Sequence, residues 1–280
     1  MAYDVLGAKA LNYAPCRYGN SRILFRGPQR RLDAPYVAFI GGTETYGKFI
    51  KAPFPDLVES DLGVNCINFG VSNAGVDVFL NDGFITEAAN GAEATVLQVV
   101  GAHNLSNRFY SVHPRRNDRF LTASPLLKSI YPEVDFAEFH FNRHMLCALY
   151  DASTERFGII AKELQAAWSA RMKLLLRRIC GHVILLWFAD HPPSEADVRY
   201  DNPTGSSEPL FVTRAMLDDL AVRVSGYVEV TASEEALAAG THGMVFDELE
   251  TPAAGKLMGP RAHGETALHL GKTLHSIVRV

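Results

Sequence analysis

Five short apolar runs, each halted by glycine or proline or by a polar turn, constrain this chain more than any other feature of its sequence. Tyr36 to Ile40 stops at Gly41-Gly42, Val64 to Phe69 at Gly70, and Ala94 to Val100 at Gly101. His182 to Ala189 stops at Asp190-His191-Pro192-Pro193, and Tyr227 to Thr231 is a weaker fifth run. Runs of this length without polar alternation read as strands buried on both faces, the situation inside a parallel sheet with helices on either side.

The intervening stretches supply the helices. Phe157 to Ile179 is the strongest, with Ile160, Leu164, Trp168, Met172 and Leu175 close to one stripe. Tyr46 to Leu62 carries another, broken or delayed by Pro53 and Pro55. Val76 to Asn90, Arg214 to Val224 and Gly264 to Val278 complete the set. Strands alternating with helices predict right-handed crossovers, and so a three-layer α/β/α fold with a flavodoxin-like parallel sheet of about five strands. The whole of residues 1–280 reads as one domain, with residues 1–35 as an N-terminal extension. Residues 104–149, rich in arginine, histidine and aromatic side chains, form a segment inserted after the third strand.

A chain of 280 residues, 48% of them hydrophobic, can bury a sizeable core without staples. The net charge of -4 gives no general attraction to nucleic acid or membrane surfaces. No apolar run approaches the ~20 residues of a membrane span, and no basic start leads into one, so neither a span nor a signal peptide is expected. Cys16, Cys66, Cys147 and Cys180 are scattered without metal-ligand spacing and read as reduced thiols, which with the rest points to a cytoplasmic chain. His140 and His144 stand four apart in a helical stretch, but with no neighbouring glutamate and no third ligand they do not define a metal site.

In an open parallel sheet, ligands bind beyond the carboxyl ends of the strands. Gly41-Gly42-Thr43-Glu44-Thr45-Tyr46-Gly47 follows the first strand, Gly70-Val71-Ser72-Asn73-Ala74-Gly75 the second, and Gly101-Ala102-His103-Asn104 the third. Asp190-His191 follows the fourth, and His263 precedes the last helix. Arg108, Arg115, Arg116 and Arg119 are cations suited to bidentate recognition of an anion. Taken singly, Thr43 and Thr45 also fit helix caps, and His103 and Asn104 fit side-chain support of their own loop.

The order of these blocks resembles the SGNH (GDSL-type) hydrolase superfamily. Asn68-Phe69-Gly70 matches its second block, Gly101 to Asn104 loosely its third, and His263 its C-terminal histidine. The resemblance implies that Thr43 stands at the nucleophile position, where the family has serine, and that His263 is its base. It further implies that the Thr43 and Gly70 N–H groups, with His103 or Asn104, hold an oxyanion. Pro260 occupies the position three before the histidine, where the family often has an aspartate. On this reading the chain is an esterase or acyltransferase acting on a small or glycan-type, anionic substrate. Gly42, Glu44, Arg108, Arg115, Arg116 and His191 line its substrate site, and no metal or organic cofactor is needed. A second reading takes Gly42 to Gly47 with Lys48 as a near phosphate loop, Phe49 replacing the hydroxyl that binds magnesium, and so as a nucleotide-dependent sulfuryl or phosphoryl transferase. A third is a glycan-binding relative without catalysis.

Overall fold

A computed structural model describes residues 11–196, 202–205 and 207–278. Each of the five apolar runs forms a strand of one parallel sheet: β1 (Tyr36–Gly41), β2 (Asn65–Gly70), β3 (Ala94–Gln98), β6 (His182–Ala189) and β7 (Gly226–Thr231). Their spatial order is β2-β1-β3-β6-β7, the doubly wound flavodoxin-like arrangement in which the chain reverses direction across the sheet between β1 and β3. The register sets Gly41 opposite Gly70, so the first two strand-end loops leave the sheet level with each other.

Alternate strand residues feed two cores. Val37, Phe39, Val96, Ile184, Leu186 and Phe188 face one side, where α2 (Phe54–Leu62), α9 (Glu234–Ala239) and α11 (Pro260–Leu274) cover them. Ala38, Ile40, Ile67, Phe69, Leu185 and Trp187 face the other, under α3 (Val76–Asn81), α4 (Gly83–Gly91), α6 (Asn142–Ala152) and α7 (Thr154–Arg178). Ser153 caps α7 by accepting the Arg156 N–H, and the expected stripe from Phe157 to Leu175 is buried. Trp168 on this stripe donates its indole N–H to the Val100 carbonyl at 2.8 Å, fixing α7 to the loop after β3.

Two expected helices are divided. Tyr46 to Leu62 becomes a single turn, α1 (Thr43–Tyr46), and then α2, because Pro53 stands at the α2 N-cap and Pro55 in its first turn. Val76 to Asn90 splits at Asp82, whose extended backbone ends α3 and whose carboxylate accepts the Phe84 and Ile85 N–H groups to start α4. His140 lies outside α6, which begins at Asn142, so His140 and His144 do not share a helix face.

The insertion holds structure of its own. β4 (Tyr110–His113) and β5 (Arg116–Ala123) pair as an antiparallel hairpin with a bulged register, followed by α5 (Pro125–Ile130) and α6. The hairpin is joined to the sheet by amides. Asn117 Oδ1 accepts the Gly75 and Val78 N–H groups at 3.1 and 2.9 Å, and Asn142 Nδ2 donates to Asn104 Oδ1 at 3.0 Å. The N-terminal extension also reaches the sheet. Its Tyr18, Ile23 and Phe25 lie in the core, and the buried Arg26 guanidinium donates to the Tyr46, Gly47, Ile50 and Lys51 carbonyls. α8 (Arg214–Ala221) and α10 (Thr251–Ala254) complete the helices. All four cysteines are free thiols, Cys66 buried and Cys180 exposed. Among the described residues no helix is long and apolar enough to cross a membrane.

Candidate functional site at the carboxyl rim of the sheet

The site begins with the turn that joins β1 to α1. Gln98, the last residue of β3, is buried and accepts three hydrogen bonds at Oε1: from Gly42 N–H (3.0 Å), Thr45 N–H (3.2 Å) and Thr45 Oγ (2.6 Å). Tyr46 N–H returns to the Gly42 carbonyl, and Gly47 closes the turn in the left-handed region, which glycine occupies without steric cost. The amides of Gly42, Thr45, Tyr46, Gly47 and Lys48 are therefore committed inside the protein, and do not turn toward an anion as those of a phosphate loop would. Lys48 leans over the Phe49 ring with Glu250 3.8 Å away, so the near phosphate-loop spacing folds as a helical turn. Thr45 serves this turn, and Gly42 gives its N–H to it.

Successive residues of a helical turn diverge by about 100°, and α1 sends Thr43 and Glu44 to different neighbours. Thr43 is partly exposed. Its Oγ accepts the Asn73 N–H at 2.9 Å and lies 3.4 Å from Asn73 Oδ1, so the loop after β2 holds the hydroxyl. Glu44 instead accepts the Met258 N–H at 3.3 Å and stands 3.5 Å from His263 Nε2. The sequence reading paired Thr43 with His263, whereas in the structure they share no hydrogen bond. His263 is fully buried between the rings of Phe54 and Phe188, and its Nδ1 accepts the Phe54 N–H at 3.2 Å. A lone pair spent on that amide leaves the ring proton on Nε2, facing Glu44.

The predicted oxyanion donors also separate. Gly70 gives its N–H to Asn68 Oδ1 at 2.9 Å, and a Cβ there would collide with the Tyr46 amide, so this glycine lets β2 and α1 touch. The Thr43 N–H, at the first helical position, has no partner among the described residues. Asn104 is buried and donates one amide hydrogen to the Asn73 carbonyl at 3.3 Å, on the loop that holds Thr43. His103 is buried with Nε2 3.4 Å from Glu208 Oε1, and its Nδ1 has no partner. Burial pushes its pKa down, against the pull of Glu208.

Farther along the rim, Asp190 and His191 follow β6. Asp190 Oδ1 is 2.6 Å from His191 Nδ1, and Asp190 Oδ2 accepts from Ser207 Oγ at 2.8 Å. These two bonds, the imidazole's foremost, hold the Asp190 carboxyl below its usual range despite partial burial. Of the insertion arginines, Arg108 pairs with Glu163 at 2.7 Å. Arg115 and Arg116 are exposed at the hairpin tip, where their amides donate to His113 Nδ1.

Thr43, Asn73, Asn104 and His103 thus come to one stretch of rim, with Asp190 and His191 at its next strand end, while His263 lies beneath. The sequence reading assigned no role to Gln98, Asn73, Glu208 or Ser207. Gln98 had a signal, since it is a polar residue at the tail of an otherwise apolar run. Glu208 and Ser207 lie in a polar loop far along the chain, and nothing local marks their partners. No group of histidines, cysteines and carboxylates among the described residues could hold a metal ion.

The fold and this rim define a doubly wound α/β protein with polar strand-end loops around a hydroxyl. The chain belongs to the family described as Domain of unknown function (DUF6473), which matches residues 1–278. No curated protein matches it. Among solved structures it is similar to a lipase/acylhydrolase from Enterococcus faecalis, at 10% identity and a TM-score of 0.42, covering 88% of this chain and 100% of that one. It is also similar to a catalytic mutant of Axe2, an acetylxylan esterase from Geobacillus stearothermophilus, at 13% identity and 0.43, covering 88% and 97%. A third is phospholipase A1 from Streptomyces albidoflavus NA297, at 10% identity and 0.43, covering 88% and 100%.

Proposed function

We propose that the protein is an SGNH-like acyl-ester hydrolase or acyltransferase working on a small-molecule or glycan ester, with the Thr43 hydroxyl as nucleophile. The observation that carries this is the hydroxyl itself. It sits at the carboxyl end of β1, open to the rim, fixed by the Asn73 N–H at 2.9 Å. An alcohol so placed can attack an acyl carbon, and its own amide and the remaining N–H of Asn104 are donors for the oxyanion that forms. Arg116 precedes Asn117, which binds the Gly75 N–H two residues from Asn73, so the hairpin tip offers its arginines to an anionic part of the substrate. The test is a panel of short-chain p-nitrophenyl and acetylated-sugar esters. Thr43→Ala should lower kcat/KM by about 100-fold or more, while Thr43→Ser, which keeps the hydroxyl and removes a stiffening methyl, should retain activity. Unchanged turnover in Thr43→Ala would remove the nucleophile from this reading.

A second reading, a glycan-binding relative without catalysis, is favoured by the resting state of His263. An imidazole that accepts a buried amide and faces Glu44 acts as a structural link. Calorimetric binding of an acetylated oligosaccharide, with no product formed over many hours, is its expected signature.

A further inference from the structure

Three histidines lie at or beside this rim, and only one of them offers an unpartnered ring nitrogen on a partly exposed side chain. His263 is enclosed and gives its Nδ1 lone pair to the Phe54 N–H. His103 is buried, with Nε2 toward Glu208 and Nδ1 shut in against Gly101, where an added Cβ would crowd it. His191 differs. Its Nδ1 is 2.6 Å from Asp190 Oδ1, its side chain is 38% exposed, and its Nε2 has no partner among the described residues.

We propose that His191, oriented by Asp190, is the proton acceptor that releases the acyl group from this rim. The inference rests on the acyl-transfer reading and deepens it. An acceptor carboxylate on Nδ1 fixes the proton there and leaves the Nε2 lone pair directed outward, the arrangement a general base requires. The carboxylate is itself anchored by Ser207, on its other oxygen. Trp187 holds the histidine twice, donating its indole N–H to the His191 carbonyl at 2.8 Å and standing edge-on to the imidazole at 5.7 Å. Pro192 and Pro193 follow and restrict the backbone beyond.

The placement suits the second half of an ester hydrolysis. β3 lies between β1 and β6, so two interstrand spacings, about 10 Å, separate the strands that carry Thr43 and His191. An acyl group carried on Thr43 together with one water would span a separation of that order. Nε2 takes a proton from the water as its oxygen bonds to the acyl carbon. The carbon–oxygen bond to Thr43 then breaks, and the imidazolium returns the proton to the Thr43 oxygen. Carboxylic acid leaves, and both side chains are restored. Asp190 stays ionised throughout and stabilises the imidazolium, as an orienting carboxylate does.

The experiment follows p-nitrophenyl acetate through the first turnover and beyond. In the wild type a burst of p-nitrophenol should precede steady release. The imidazole that returns a proton to the Thr43 oxygen also accepts that proton when Thr43 first attacks, so His191→Asn should slow both the burst and the steady rate by about 100-fold or more. His191→Gln, with a melting temperature matched to wild type, guards against a folding defect, and Asp190→Asn should slow the steady rate to an intermediate degree. Nitrogen NMR of the wild type should show His191 protonated on Nδ1 and bare on Nε2 at neutral pH. Wild-type steady turnover in both His191 variants, or a proton on Nε2, overturns the proposal while leaving the Thr43 nucleophile standing. Loss of the burst in Thr43→Ala supports the nucleophile. A wild type that releases no p-nitrophenol from any ester overturns both.

Discussion

Gln98 organises a strand-to-helix turn with one oxygen. Three donors converge on its Oε1 in a buried setting, so Gln98→Leu should strand all three and cost about 2–4 kcal/mol, read as a lower urea midpoint at unchanged slope. His103 makes a pH-dependent contribution of predictable sign. Burial lowers its folded-state pKa below the ordinary histidine value of about 6.5, so the unfolded chain binds the proton more readily. Stability attributable to this residue is complete above the unfolded value and is lost as pH falls below it. Unfolding free energy measured from about pH 7.5 down to pH 5.5 should therefore decline in the wild type and decline less in His103→Gln. A steeper fall in the variant would contradict this account. At this scale the sequence marked Thr43, His103 and His191 as rim residues because each follows an apolar run. It did not show the orientation of His263, whose ring nitrogen is fixed by an amide 209 residues away in the chain.

At the scale of elements, polar side chains decide where helices begin and how loops meet. Asn117, in the hairpin, caps α3 from outside, and Asn117→Ala should lower stability by about 1–2 kcal/mol in thermal or urea unfolding while leaving the hairpin in place. Gly75→Ala should be more severe, since its Cβ would overlap the Asn104 carbonyl oxygen and force the β2 and β3 loops apart. The expected result is a fall in melting temperature of many degrees, or insoluble protein. The five strands were legible because continuous apolar runs with glycine at their ends have few other uses. The break at Asp82 was not, since apolar residues on either side keep helical spacing and only the cap geometry separates α3 from α4. The hairpin was hidden as well. Its second strand, β5, buries Asn117 between Arg116 and Asp118, and the pairing carries a bulge, so that strand lacks clean alternation.

For the molecule as a whole, the alternation of strands and helices gave the layers, while the neighbour of each strand emerged only from long-range packing. The least foreseeable part was residues 1–35, read as an extension before the sheet. They supply core aromatics and the Arg26 clamp, so a chain without residues 1–33 should lose its cooperative unfolding transition by circular dichroism. Arg26→Lys should fare little better than Arg26→Met, because one ammonium cannot match a planar fork spread over four carbonyls. The clamp's hydrogens go to carbonyl oxygens; desolvation lowers the Arg26 pKa, against the pull of the Asp56 carboxylate. Dissolved ions screen buried hydrogen bonds to carbonyls very little, so the segment behind Thr43 should keep its shape from dilute buffer to brine.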